Sequence, residues 1–218
     1  MQCVILAAGE GSRMRPLTTS RPKVMLPLAG KPSLEHLIRN VKAAGISDII
    51  IVVGYREEAI RSYFGDGNEF GVSIKYVVQR KQLGTADALR TAEPFVTDTF
   101  LMLNGDMVVE VEDLTKICET KAPVIAVSTT THPEDFGVVT LSGDKISSLE
   151  EKSPEPKSNI INAGAYLFGC EIFETLKKVS PSSRGEYELT DALMDYIAEN
   201  RLSTHQLSLW MDVGYPWD

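Results

Sequence analysis

A chain of 218 residues that is 43% hydrophobic and 24% charged is neither disordered nor collagen-like, and its length suits one large α/β domain or two small ones. Twenty-two basic against thirty acidic side chains give a net charge of −8, which argues against nucleic acid or an anionic membrane surface as the main partner and leaves room for a local basic cluster that binds a small phosphate ligand. The apolar stretch from Cys3 to Ala8 is too short for a membrane span and lacks the flanks of a secretory signal, so a cytoplasmic location is expected.

Gln2 to Ala8 is an almost unbroken apolar run ending in glycine, the pattern of a strand buried on both faces in a parallel sheet. A long loop rich in Gly, Pro, Ser and Thr follows, then a helix over about Ser33–Ala44 and a strand over Asp48–Val53, which together form a βαβ unit. The alternation continues with a helix near Glu57–Phe64, a strand Ser73–Val78, a helix near Thr85–Ala92 and a strand Thr99–Leu103 closed by Asn104-Gly105-Asp106. No element is read between Asp106 and Ala122. Beyond it, Val124–Thr131, Phe136–Leu141, Ile146–Leu149 and Ile160–Phe168 read as strands joined by short turns, so this half should carry antiparallel pairing. Helices near Glu171–Lys178 and Leu189–Asn200 and a strand around His205–Leu209 complete the pattern, with no internal repeat and no linker long enough to separate domains. Cys3, Cys118 and Cys170 are too few and too scattered for a disulfide framework or a zinc site and are expected to be buried. His36, His132 and His205 lack the spacing of metal ligands or of a catalytic base, Trp210 reads as a packing residue and Met102 as core.

The most informative segment is Leu6 to Leu28, LAAGEGSRMRPLTTSRPKVMLPL. Gly9 and Gly11 let the backbone turn and aim N–H groups at an anion, and Arg13, Arg15 and Lys23 add full positive charge, a combination that suits a triphosphate better than a solvated surface loop. A dinucleotide fingerprint would need glycine at Met14 and an acid after the second strand, where Val53 and Gly54 stand. A P-loop would need Ser or Thr after Gly30-Lys31, where Pro32 stands.

The segment resembles the signature of the sugar-1-phosphate nucleotidylyltransferases. The resemblance extends through Gln79, Leu83-Gly84-Thr85-Ala86, Gly105-Asp106, Phe136 to Val139, Glu150-Glu151-Lys152, Asn162-Ala163-Gly164 and Trp210 to Gly214, in family order over essentially the whole chain. It implies a Rossmann-like nucleotide-diphospho-sugar transferase fold, a mixed and mostly parallel sheet flanked by helices, as one domain over residues 1–218. It further implies transfer of a nucleotidyl group from UTP or dTTP to N-acetylglucosamine 1-phosphate or glucose 1-phosphate with release of pyrophosphate. Residues carried over are Arg13, Lys23 and Asp106 for catalysis, and Leu6, Ala8, Gly9, Gly11, Ser12, Gln79, Gly84 and Thr85 for the nucleotide. Gly137, Glu151, Lys152 and Asn162 fall on the sugar-phosphate side, and Asp106 and Asp212 on Mg²⁺, which takes only one or two protein carboxylates. The partners implied are the two substrates, with neither nucleic acid nor membrane; a homo-oligomer stays open.

Gln82 to Thr85 and Asn162-Ala163-Gly164 resemble the uridylyltransferases, whereas Leu149 to Lys152 resembles the thymidylyltransferases, and the balance leans to uridylyl transfer. The rival from another class is a catalytically silent regulatory subunit of the same fold, against which the joint presence of Arg13, Lys23, Asp106 and Asp212 speaks. The sequence stops four residues after Gly214, inside a motif that in the family leads into a helix, with Tyr215 and Trp217 near the end. The expectation is therefore the nucleotidylyltransferase part of a longer protein resembling the bifunctional enzymes that append a left-handed β-helix acetyltransferase domain, as against a short enzyme whose end packs on the sheet.

Overall fold

In a computed structural model, which describes residues 1–214, the chain forms a nine-stranded mixed sheet with helices on both faces. Its parallel half comprises β1 (Gln2–Ala7), β4 (Asp48–Val53), β5 (Ser73–Val78) and β6 (Phe100–Asn104), in the order β6-β1-β4-β5. The antiparallel half comprises β8 (Val124–Thr129), β9 (Gly137–Ser142), β10 (Lys145–Glu151) and β11 (Ile160–Phe168), with β11 lying against β6. The division falls where the sequence pattern changes, with one departure: β12 (Ser203–Gln206) joins β8 in parallel. Two short ribbons stand outside the sheet, β2 (Pro27–Leu28) with β3 (Lys31–Pro32), and β7 (Met107–Val109) with β13 (Trp210–Asp212).

Strands β1, β4 and β6 are apolar on both faces because both are covered, whereas the edge strand β5 alternates buried Ile74 with exposed Ser73 and Lys75. One face packs Leu34, Leu37, Ile38 and Val41 of α1 (Ser33–Ala43), Ile60 and Phe64 of α2 (Glu57–Phe64), and Leu114 and Ile117 of α4 (Val111–Glu119). The other receives Ala86 and Leu89 of α3 (Thr85–Thr91) and Phe173 and Leu176 of α5 (Ile172–Leu176). It also receives Leu189 of α6 (Leu189–Ala192) and Tyr196 of α7 (Met194–Ala198). The sequence reading has α6 and α7 as one helix; Leu193 N–H instead bonds Thr190 O at 3.2 Å, three residues back, and the helix breaks there. It also leaves out α4, whose apolar face is carried by Leu114 and Ile117 alone among its fully buried residues. Cys3 is buried and Cys118 half-buried, but Cys170 is exposed in the turn after β11, which corrects the expectation for that residue. Tyr215 and Trp217 lie outside the described residues. Among the described residues no helix is long and apolar enough to cross a membrane.

Glu35 is buried in α1 and accepts hydrogen bonds from Tyr63 Oη at 2.6 Å and Arg39 Nε at 2.7 Å, with Lys31 Nζ at 3.2 Å. Burial alone would push its carboxyl up, but these donors outweigh it and hold the pKa at about 2. The folded value lies below the ordinary one near 4.5, so the stabilisation is fully present above that pH and is lost as the pH falls toward about 2. Urea midpoints measured from pH 5 to pH 2 are expected to fall less steeply in Glu35→Gln than in the wild type; parallel curves would refute the linkage.

Candidate functional site

Parallel strands β1, β4 and β6 end together, so the loops after Ala7, Val53 and Asn104 share the carboxyl edge of the sheet, where open α/β folds collect ligands. Register brings the antiparallel half to the same edge. Glu151 of β10 pairs with Gly137 of β9, and Val138 pairs with Ile161 of β11, which gathers Gly137, Glu151 and Asn162 beside the end of β6. The result is a cleft of three adjoining compartments that share Asp106.

The first compartment is the loop after β1, lined by Leu6, Gly9, Gly11, Ser12, Arg13, Lys23 and Asp106. Gly11 has φ +62°, and a Cβ there would lie 2.8 Å from Lys23 Cβ, so a side chain would push the lysine out of place. The loop is braced by Thr18 Oγ1, which donates to Gly11 O at 2.8 Å, and by Tyr55, whose N–H bonds Ala8 O at 3.1 Å and whose hydroxyl reaches Thr18 O at 3.0 Å. Arg15 turns away, paired at 3.2 Å with Glu10 and exposed, and lines none of the three compartments.

Lys23 is buried, with Nζ 2.7 Å from Asp106 Oδ2 and 3.4 Å from Asp212 Oδ1. Two residues far apart in sequence meet because β13 pairs with β7, placing Asp212 opposite Met107, and Val213 N–H bonds Asp106 O at 3.2 Å. Burial pushes the Asp212 carboxyl up and the Asp106 charge adds to it, against Lys23 and Arg13, with the result at about 6. Burial lowers the Lys23 pKa, but the two carboxylates outweigh it and hold the ammonium above its ordinary value. Asp106 is not the freely exposed carboxylate that a strand end suggests; its side chain is 31% accessible and tied to Lys23. Two converging carboxylates with phosphate room beside them fit a hard divalent cation that keeps water and phosphate oxygen as its other ligands. Among the described residues no cluster of three acidic, histidine or cysteine side chains forms a cage made of protein alone.

The second compartment is lined by Leu6, Ala8, Gly9, Gln79, Gln82, Gly84, Thr85 and Asn104. Gly84 opens α3 at φ +108°, and a Cβ there would lie 2.8 Å from Tyr187 N, so only glycine lets the 187 segment pack this closely. The third compartment holds Gly137, Glu151, Lys152 and Asn162 with Arg13, Thr85 and Asp212. Lys152 sits at φ +47°, a conformation uncommon outside glycine, held by its N–H to Phe136 O at 2.9 Å. Burial, then the charge of Glu188, raises the Glu151 pKa against the pull of Lys152 and Arg184. The Asn162 amide donates to Tyr166 Oη and accepts from Gly164 N–H at 3.2 Å, so it also pins the irregular stretch of β11. Trp210 packs edge-on against Phe136 and donates to Ala163 O at 2.8 Å, the packing role expected of it.

Every residue carried over from the family resemblance therefore lines one cleft, and of the loop cations singled out from the sequence Arg15 stands outside it. The histidines do not: His36 bonds Leu28 O, His132 bonds Glu134 and His205 bonds Asp113. Missed were Asn104 and the segment Arg184 to Thr190. Arg184 reaches Glu188 at 2.6 Å, Glu186 at 3.5 Å and Glu151 at 3.8 Å in the third compartment. A lone arginine beside glycine in a Ser-Pro turn, ahead of two glutamates, was the signal available.

The profile of a family described as nucleotidyl transferase matches residues 2–218. The bifunctional protein GlmU of Methanococcus maripaludis (strain C7) is 45% identical over 222 residues, covering 100% of this chain and 52% of that protein. A glucose-1-phosphate thymidylyltransferase of Streptomyces griseus is 38% identical over 98% of this chain and 62% of its own length. Among solved structures, a Bacillus anthracis protein assigned as a glucose-1-phosphate thymidylyltransferase and crystallised with a sucrose superimposes with TM-score 0.90 at 35% identity, covering 100% of this chain and 91% of that one. The chain spans about half the length of the GlmU relatives it matches.

Proposed function

This chain belongs to the nucleotidyl transferase family, and from that premise we propose that it transfers the nucleotidyl group of UTP or dTTP to a sugar 1-phosphate, N-acetylglucosamine 1-phosphate or glucose 1-phosphate, releasing pyrophosphate. The observation that carries the reading is the meeting of three compartments at Asp106: one built of loop amides and cations, one walled by Gln79 and Gly84, one lined by hydroxyl- and phosphate-binding side chains. The α-phosphorus would lie at that junction, with the sugar phosphate oxygen approaching from the third compartment and pyrophosphate leaving toward the first. The attacking oxygen is already ionised at neutral pH, so no Ser, Cys or His nucleophile is needed. What remains for the protein is to align two polyanions and neutralise them.

In this assignment the amides after Gly9 and Gly11 cradle the triphosphate, Arg13 meets the charge that grows on pyrophosphate, and Lys23 holds the reacting phosphates beside Asp106. Leu6, Ala8, Gln79, Gly84 and Thr85 hold the nucleoside, and Ser12 faces the phosphates. Lys152 takes the sugar phosphate, and Gly137, Glu151 and Asn162 take the sugar. Asp106 and Asp212 would hold Mg²⁺, which when bound polarises the α-phosphate. The glucose-1-phosphate thymidylyltransferase named above supports nucleotidyl transfer to a sugar 1-phosphate, and the GlmU relatives support the family.

The test is pyrophosphate release from a panel of four triphosphates against several sugar 1-phosphates with Mg²⁺. Turnover with UTP or dTTP is expected; no release with any pair would leave the silent subunit. Within the panel, Asn162→Ala is expected to raise the sugar 1-phosphate KM roughly tenfold, within the ~1–3 kcal/mol of an unpaired buried hydrogen-bonding group, while the triphosphate KM stays within about twofold. An equal rise for both substrates would mean that the irregular stretch of β11, not the sugar contact, had been lost.

A further inference from the structure

Gln79 follows β5 and is buried, and its side-chain amide is already half committed. Nε2 donates to Gly84 O at 3.1 Å and to Asp87 Oδ2 at 2.9 Å. Both partners are acceptors, so the amide has one acceptable orientation: turned over, Oε1 would face a carbonyl oxygen and a carboxylate, with repulsion at both. The two N–H groups are therefore spent inside the protein. Among the described residues nothing donates to Gln79 Oε1, yet this oxygen is not sealed in the interior, since the one buried side-chain polar atom left without a partner there is Thr190 Oγ1. Gln79 thus presents the second compartment with an acceptor and no donor.

Asp87 is the part of this arrangement that the family resemblance does not reach. It stands in the first turn of α3, lines none of the three compartments, and reaches the cleft only through Gln79. Gly84 O alone does not fix the amide as firmly, because it also accepts Ala88 N–H at 3.1 Å as part of the helix.

We propose that Asp87 is a positioning residue that locks the Gln79 amide with its oxygen toward the base, and so selects a pyrimidine whose ring N3 carries a hydrogen, uracil or thymine, over cytosine. The inference rests on the nucleotide reading of this cleft. Uracil and thymine offer an N3–H donor to Oε1. Cytosine in the same position brings an unprotonated N3, lone pair against lone pair, and Gln79 cannot turn to accommodate it while Asp87 holds its nitrogen. A site that pairs a substrate N–H with a buried acceptor rejects the analogue lacking it far more strongly than a shape difference does.

The experiment is calorimetric binding of UTP, CTP and N3-methyl-UTP to the wild-type chain, Asp87→Ala and Asp87→Asn, with pyrophosphate release followed separately. The wild type is expected to prefer UTP over CTP by about a hundredfold and to bind N3-methyl-UTP at least tenfold more weakly than UTP. Asp87→Ala frees the amide, and the UTP to CTP preference is expected to fall at least about tenfold. Asp87→Asn keeps an oxygen that accepts from Gln79 Nε2 and is expected to stay within about threefold of the wild-type preference. A merely structural role for Asp87 would weaken both nucleotides together and leave their ratio unmoved, and that result would overturn the proposal. Equal wild-type affinity for UTP and N3-methyl-UTP would overturn it without any variant. Because binding is read apart from turnover, a chain that distinguishes UTP from CTP but releases no pyrophosphate would refute the transfer reading and uphold this one.

Discussion

An Asp106→Asn variant is expected to melt within a few degrees of the wild type and to lose turnover on the order of a thousandfold or more. The two effects separate because of what Asp106 touches. Its Oδ2 accepts from Lys23 Nζ at 2.7 Å, and an asparagine oxygen of the same shape can still accept that bond. Lys23 also keeps Asp212 at 3.4 Å, so the buried ammonium is not stranded. What the amide cannot replace is the negative charge at the one position common to all three compartments. Mg²⁺ binding in the presence of triphosphate is expected to weaken at least about tenfold, since one of two carboxylates is gone. Near wild-type activity would remove Asp106 from the reaction, and a large fall in melting temperature would mean that the Lys23 pair is chiefly structural.

How far the sequence foretold this cleft depends on whether a residue's role is local. The strand Ser73–Val78 and the helix Glu57–Phe64 follow from alternation and periodicity that neighbours in sequence impose, and both end where the pattern ends. The loop after β1 was legible because glycines and cations are concentrated in one stretch. Arg15 was misleading for the same reason: in sequence it is another cation of the loop, while in space the nearby Glu10 claims it. The helix Val111–Glu119 was open to the same reading, since Leu114 and Ile117 share a buried face as Ile60 and Phe64 do in Glu57–Phe64, and the reading left it out. The meeting of Asp106 with Asp212 could come only from the resemblance, since the β7–β13 ribbon that joins them is three residues on each strand. Arg184 and its three glutamate partners form a contact set across the cleft wall that no spacing announces.

Arg13→Ala is expected to lower turnover about a hundredfold or more, the scale on which one charge-stabilising donor acts, while leaving the fold unchanged. Arg13 sits in the 3-10 turn Ser12–Met14; Met14 is buried and anchors the turn, and Arg13 lines the cleft. It lines both the loop compartment and the sugar compartment, and its charge acts on Lys23 and Asp212 alike, so it stands beside the junction rather than at the rim. In the proposed assignment bound triphosphate already has the loop amides and Lys23. The charge that grows on the bridging oxygen as pyrophosphate leaves is new, and a guanidinium at this place meets it only then, so the loss should appear in kcat more than in either KM. Arg13→Lys is expected to recover a minority of the lost rate, because an ammonium supplies the charge but not the planar fork that spans two phosphate oxygens. Steady-state kinetics with both substrates varied decides it: a rise confined to the sugar 1-phosphate KM, with kcat intact, would move Arg13 to the sugar side and leave the departing pyrophosphate without the cation assigned to it.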